Sequence, residues 1–540
     1  MSYFLLSAAR TFDQVNHPMK TIQSILLIIG ILLMFSACKH FSQKEHPQVA
    51  AVKPPAILST VDTTAIEPFF LKHPAFAAYK PQVKRLYQKQ SNYIWFKENH
   101  LVEFAQVLFN QVKQLDSEGI GVPLPYEQDF DEIFYNDLAN NDLLTSELLI
   151  SCLYFYYVKN VYEGIDAAKS TDLEWYLPRE RVSYESLLDT LLLKPGLLNT
   201  ERPEFFSQYY NLRKALVKFK KIEKNGDWKP IEFPKGTAIL KPGDTSRTLA
   251  QVRTRLFVEG YLAADSGSPR FDDALVEALA NYQQRHNRPA DSTISTSVID
   301  ELNIPVGERI KTIAVNMERC RWITHKLINA KEFIAVNIPS YRLHYIRNGK
   351  PILISNVVVG SELNKTVVFS GELSYLVFNP YWNVPETIMR DEVLPAMQKE
   401  PGYLARHNME WSGERLRQKP GETNSLGLVK FMFPNSNNIY LHDTPAKALF
   451  KRDQRAFSHG CIRVEKAKEL AIEILREDAG WDEKKVILQM DGKTEKSVKL
   501  KNKIPVYIAY FTAWADEQGN VSFYKDIYRR DGDLAQLLHL

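Results

Sequence analysis

"EFIAVNIPSYRLHYIRNGKPILISNVVVG", residues Glu332 to Gly360, alternates apolar and polar side chains and breaks at Asn348-Gly349, the dipeptide favoured in two-residue hairpins. The spacing predicts paired strands and the start of a β domain. Downstream, strand character lapses from about 383 to 421, where "VPETIMRDEVLPAMQKEPGYL" predicts a helical insertion or lid, and returns at "LVKFMFP" and "NIYLHD". Upstream the period is helical. The chain therefore reads as multidomain α+β, with helical regions first and a mostly-β domain at residues 330–492, followed by a C-terminal β extension at 493–540.

Residues 61–240 carry helical patterning such as "LVEFAQVLFNQVKQL", where Leu101, Phe104, Ala105, Leu108 and Val112 fall on one face. No grouping of acidic residues there suggests chemistry, so a scaffold is expected. Residues 243–304 form a compact unit with three amphipathic segments, carrying Leu249, Val252 and Leu256, then Leu275, Ala278, Leu279 and Tyr282, then Val298 and Leu302. Its core, with Phe271, Tyr282, Gln283, His286, Asp291, Ile294 and Leu302, resembles the three-helix peptidoglycan-binding module, although Ser292 stands where that module usually has glycine. A purely structural helical bundle is the alternative.

At 540 residues the chain exceeds what one core commonly supports, ~100 to 200 residues. With 45% hydrophobic and 24% charged residues it has the composition of a folded protein, and a net charge of +4 gives no electrostatic support for nucleic acid binding. Four cysteines without a CxxC pair argue against a disulfide framework. Cys152 and Cys320 lie in apolar or helical surroundings and read as core residues.

The other two cysteines sit in informative contexts. From Met19, a basic start, the apolar run Ile22 to Phe35 and the small residues Ser36 and Ala37 precede Cys38, the layout of a secretory signal. This resembles the lipobox of bacterial lipoproteins, so residues 1–38 are expected to act as a signal with a lipid on Cys38, and 39–60 as a polar tether. Export to the periplasm and a membrane anchor follow as expectations; Met19 is a candidate true start.

Cys461 lies in "LHDTPAKALFKRDQRAFSHGCIRV", Leu441 to Val464. His442, His459 and Cys461 would offer three zinc ligands, but residues two apart on a tight turn seldom converge and no fourth ligand is near, so no metal is expected. A buried structural thiol is a second reading. A nucleophile with its base is the third: Gly460 permits close substrate approach, Arg463 is a nearby cation, and "EKAKELAIEIL" predicts a helix directly after the cysteine, where a thiolate would be stabilised.

His442, then Ser458, His459, Gly460, Cys461 and Arg463, is the signature of the L,D-transpeptidases with a YkuD-type catalytic domain. The likeness extends through "NPYWNVPETIMRDEVLPAMQKEPGYL", "NSLGLVKFMFP", "IYLHDTP" and "IPVYIAYFTAWADEQGNVSFYKDIY" to the large periplasmic subgroup, which also carries a helical scaffold, a peptidoglycan-binding module and a lid. The resemblance implies a cofactor-free acyltransferase acting on peptidoglycan. Cys461 would be the nucleophile and His442 its base, oriented by the Asp443 backbone carbonyl, with oxyanion donors around Gly460 and Cys461. Ser458, His459 and Arg463 would shape the loop and contact substrate, and Trp382, Asn383 and Tyr440 would line the substrate site. It implies a thioester, release of terminal D-alanine and a 3→3 cross-link; the alternatives are an L,D-carboxypeptidase using water and a non-catalytic peptidoglycan-binding lipoprotein. No protein partner is indicated.

Overall fold

A computed structural model describes residues 60–136, 142–179, 183–200, 205–226, 228–233, 236 and 239–540. The signal segment, Cys38 and all but the last residue of the tether lie outside the described residues.

The N-terminal region is helical around its own core, in which Phe104, Leu108, Phe109, Phe130, Leu149 and Leu153 are buried. Its central helix, Leu143–Val158, is apolar on nearly every side and therefore buried on nearly every side; Asp142 caps it by accepting from Thr145 N–H at 2.8 Å. The helix Gln208–Lys224 packs on Val306–Arg321, and its Leu212, Leu216 and Phe219 join the core of the β domain rather than the N-terminal one.

Residues 231–302 hold three helices, Arg247–Glu259, Asp273–Arg285 and Thr296–Leu302, around a separate core of Leu249, Val252, Leu275, Leu279 and Leu302. The residues that carry the module resemblance build this unit. Gln283 Nε2 donates to Asp291 Oδ1 at 2.9 Å and its Oε1 accepts from Ser292 N–H at 3.0 Å, while His286 is stacked on Tyr282 and paired with Glu301. Ser292 has φ +53°, which explains a glycine preference at this turn.

The β domain is one mixed sheet of nine strands: β1 (Glu332–Asn337), β2 (Arg342–Arg347), β3 (Lys350–Gly360), β4 (Phe369–Phe378), β5 (Val429–Met432), β6 (Leu441–His442), β7 (Ala456–Ser458), β8 (Ile462–Val464) and β9 (Lys496–Ala509). Their order is β7-β3-β8-β6-β5-β4-β9-β1-β2, and β2 also pairs with β3, so the sheet closes on itself. The hairpin turn is as the sequence dictates: Asn348 and Gly349 both have positive φ, 51° and 73°.

Two expectations fail here. The segment placed in a C-terminal extension begins with β9, which lies inside the sheet between β4 and β1; the catalytic body thus continues past 492, and only the hairpin of Ala513–Ala515 with Val521–Phe523 and the helix Asp531–Leu537 follow it. The insertion is not purely helical either. Short helical turns from Glu386 to Arg406 pack with a three-stranded sheet of Trp382–Asn383, Met409–Ser412 and Arg415–Gln418 around a small core of Ile388, Val393 and Leu416.

Candidate active site

Parallel pairing of β6 with β8 sets the site. Leu441 stands opposite Ile462 and His442 opposite Arg463, while β5 on the other side places Lys430 opposite His442. Lys430, His442 and Arg463 thus form one row across three strands. Leu441, Ile462 and Val464 are fully buried in the core, so the alternating neighbours share the other face. Tyr440 and Cys461, two residues before His442 and Arg463, lie on that face as well, with the Tyr440 phenol and backbone N–H both turned to the sulfur.

Cys461 keeps part of its surface open, and its Sγ lies 3.8 Å from the Asn438 carbonyl oxygen. The expected helix does not follow it directly: β8 intervenes, and the helix begins at Ala467. The sulfur therefore gains no help from a helix N-terminus. Burial pushes the thiol pKa up, against the lowering effects of Tyr440, Lys430 and Arg463.

His442 is buried, and its Nδ1 donates to the Asp443 carbonyl oxygen. A carbonyl only accepts, so Nδ1 carries the proton and Nε2 remains the basic nitrogen. Burial, with Arg463 and Lys430 on either side, lowers the imidazole pKa to about 3. Burial thus disfavours both the thiolate of Cys461 and the imidazolium of His442. The Asp443 carboxylate is engaged elsewhere, accepting from Leu428 N–H at 3.0 Å and pairing with Lys447 at 2.6 Å.

The loop before the thiol is tightly closed. Gly460, at φ +108°, donates its N–H to Ser458 Oγ at 3.2 Å, the Ser458 hydroxyl donates to the Cys461 carbonyl at 2.5 Å, and Thr366 Oγ1 donates to the Gly460 carbonyl at 2.8 Å. Gly460 N–H is thus already used, whereas Cys461 N–H has no acceptor among the described hydrogen bonds. Of the two expected oxyanion donors, the cysteine N–H is the one left to give.

The remaining expected residues disperse. His459 points outward and pairs through Nε2 with Glu392 of the lid at 2.8 Å. Trp382 packs against the lid core, and Asn383 is exposed where it pairs with Arg417. Lys430 was not singled out from the sequence. Its signal was visible as a lone cation at an outward position of an otherwise apolar strand, Val429-Lys430-Phe431-Met432. Among the described residues no group of three or more His, Cys, Asp or Glu side chains gathers to hold a metal ion.

Residues 331–488 match the family model of the L,D-transpeptidase catalytic domain (YkuD), and residues 81–216 match that of a scaffold domain. A Haemophilus influenzae protein named "Putative L,D-transpeptidase" is 38% identical over 240 residues, covering 41% of this chain and 48% of its own length. The chain thus spans about half the length of that curated relative. Solved structures with limited likeness include an L,D-transpeptidase from Stackebrandtia nassauensis (12% identity, 51% of this chain and 97% of that one, TM-score 0.22) and one from Xylanimonas cellulosilytica (12%, 51% and 100%, TM-score 0.17). Residues 331–488 are thus an L,D-transpeptidase catalytic domain of the YkuD type, preceded by a scaffold domain.

Proposed function

We propose that the protein is a peptidoglycan L,D-transpeptidase in which Cys461 attacks the carbonyl of the diamino acid at position 3 of a tetrapeptide stem. The observation that carries this reading is the arrangement on one sheet face of a part-open thiol, an imidazole whose Nδ1 is bound to the Asp443 carbonyl, and a cysteine N–H without an acceptor among the described residues. As the sulfur–carbon bond forms, His442 takes the thiol proton and passes it to the leaving amine of D-alanine, giving a thioester. The amine of a second stem then attacks, His442 accepts its proton, and a 3→3 cross-link results. Developing oxyanion charge is met by Cys461 N–H, a kind of contact that contributes ~3 to 4 kcal/mol. Tyr440 holds the sulfur through its phenol, and Ser458 keeps the loop shape.

The same acyl-enzyme resolved by water would make a carboxypeptidase; the two outcomes separate in the products. Muropeptide mass spectrometry of purified wall incubated with the protein should show 3→3 dimers and free D-alanine. Tripeptides without dimers would identify water as the acceptor, and unchanged muropeptides would refute both. The signal layout before Cys38 supports export and a lipid anchor. Intact mass of membrane-extracted protein should show a lipid-sized increment on a chain beginning at Cys38; any other mature start without it would remove the anchor from the account.

A further inference from the structure

The row that contains His442 carries two cations and no anion. Among the described residues Lys430 forms no ion pair, and its Nζ lies 3.8 Å over the Tyr440 ring. Arg463 likewise forms no ion pair among the described residues, and its buried Nε has no acceptor there. Both side chains are only partly exposed, so each charge has lost part of its hydration, and among the described residues no carboxylate meets either; Lys430 has the Tyr440 π face alone. The nearby carboxylates do not supply one: Asp443 is engaged with Lys447 and Leu428, and Glu495, within electrostatic reach of Lys430, accepts from Tyr381 N–H at 2.8 Å.

One use for such cations is to hold Cys461 as a thiolate. That use fits poorly, because burial outweighs them and the thiol remains hard to ionise. A half-dehydrated ammonium and guanidinium flanking the base, on the face where substrate must lie, have the chemistry of an anion site; guanidinium in particular matches a planar carboxylate.

We infer that Lys430 and Arg463 form a carboxylate subsite which seats an ionised carboxylate of the donor stem, aligning the scissile carbonyl over Cys461. This rests on the transpeptidase reading for the identity of the ligand. Two carboxylates have the required chemistry, that of the terminal D-alanine and that of the diamino acid side chain, and amidating each in turn tells them apart.

The experiment has two arms. In the first, Cys461 alkylation by iodoacetamide is measured with and without N-acetyl-D-alanine or its amide; the carboxylate should shield the thiol in wild type, and neither compound should shield it in Lys430→Gln or Arg463→Gln. In the second, kcat/KM is compared for tetrapeptide donors with both carboxylates free or with one amidated. Wild type should prefer the free form at one of the two positions by ~10- to 100-fold, each variant should lose that preference, and Lys430→Arg should keep most of it. Because both cations lower the thiol pKa, unliganded alkylation should move to higher pH in the two Gln variants and stay close to wild type in Lys430→Arg, so shielding is read at each protein's own alkylation midpoint. Equal losses on free and amidated donors, or carboxylate shielding that persists in both Gln variants at their own alkylation midpoints, would overturn the subsite. If no donor releases D-alanine yet carboxylate still shields Cys461, the transpeptidase reading falls and the subsite stands.

Discussion

Two charged clusters of this protein differ in how their charges are met. Beneath the sheet, Glu318 and Arg321 are fully buried and paired at 2.9 Å; Glu318 also accepts from Trp322 Nε1 at 2.8 Å and Ile165 N–H at 2.7 Å, and Arg321 donates to the carbonyls of Val161 and Glu118 at 2.8 and 2.7 Å. Gly164, at φ +68°, lies so close that a Cβ there would strike the Glu318 carboxylate. On the active face, Lys430 and Arg463 have no such partners. Charges satisfied on all sides hold elements together, whereas charges without a counter-charge beside the Cys461 thiol are available to a ligand. The helix Val306–Arg321 supplies the first cluster and ties the N-terminal helices to the β domain; two short strands, β5 and β8, supply the second.

Breaking the paired cluster should have the largest effect on stability. Glu318→Ala leaves Arg321 buried without its partner and should cost ~3 to 5 kcal/mol in denaturant unfolding, with turnover per folded molecule unchanged. A loss below ~1 kcal/mol would show that the pairing is not structural.

His442 sharpens the contrast through pH. Its imidazole has a pKa of about 3 in the folded chain against ~6.5 when unfolded, so between these values the unfolded chain binds the proton and the folded one does not. The resulting stability is fully present above pH ~6.5 and is lost as pH falls towards 3, at up to ~1.4 kcal/mol per pH unit. Wild type should therefore lose stability faster than His442→Gln on acidification. Parallel curves would show that the imidazole titrates normally.

Lys430→Met tests the unmet cluster from the stability side. Removing an unpaired, partly dehydrated charge should leave unfolding within ~1 kcal/mol of wild type or stabilise it, whereas a clear loss would reveal a hidden partner. Smallest of all, Lys447→Ala removes a half-exposed pair with Asp443 and should change stability by no more than ~1 kcal/mol, as read by the same unfolding curves.

What the sequence made legible was what local chemistry determines. The Asn348-Gly349 hairpin could be read because both residues must take positive φ, and the helices of residues 247–302 because their apolar positions repeat at helical spacing. Long-range pairing was not legible. Nothing local in Lys496–Ala509 says that it lies between β4 and β9's other neighbour β1, and lid strands of two to four residues are too short to show alternation. In the site, His442 and Cys461 were visible through their motif. The row of Lys430, His442 and Arg463 needed the register of three strands, which no single stretch encodes.

The central claim is that Cys461 carries the acyl group and His442 takes its proton. Intact-mass and peptide-mapping spectrometry of the protein quenched during reaction with a tetrapeptide donor tests it most directly. The account predicts an acyl increment on the peptide containing Cys461, no increment in Cys461→Ala, and formation slowed by ~10² to 10⁴ in His442→Ala but far less in His459→Ala. An increment that persists in Cys461→Ala, or equal slowing in the two histidine variants, would contradict it.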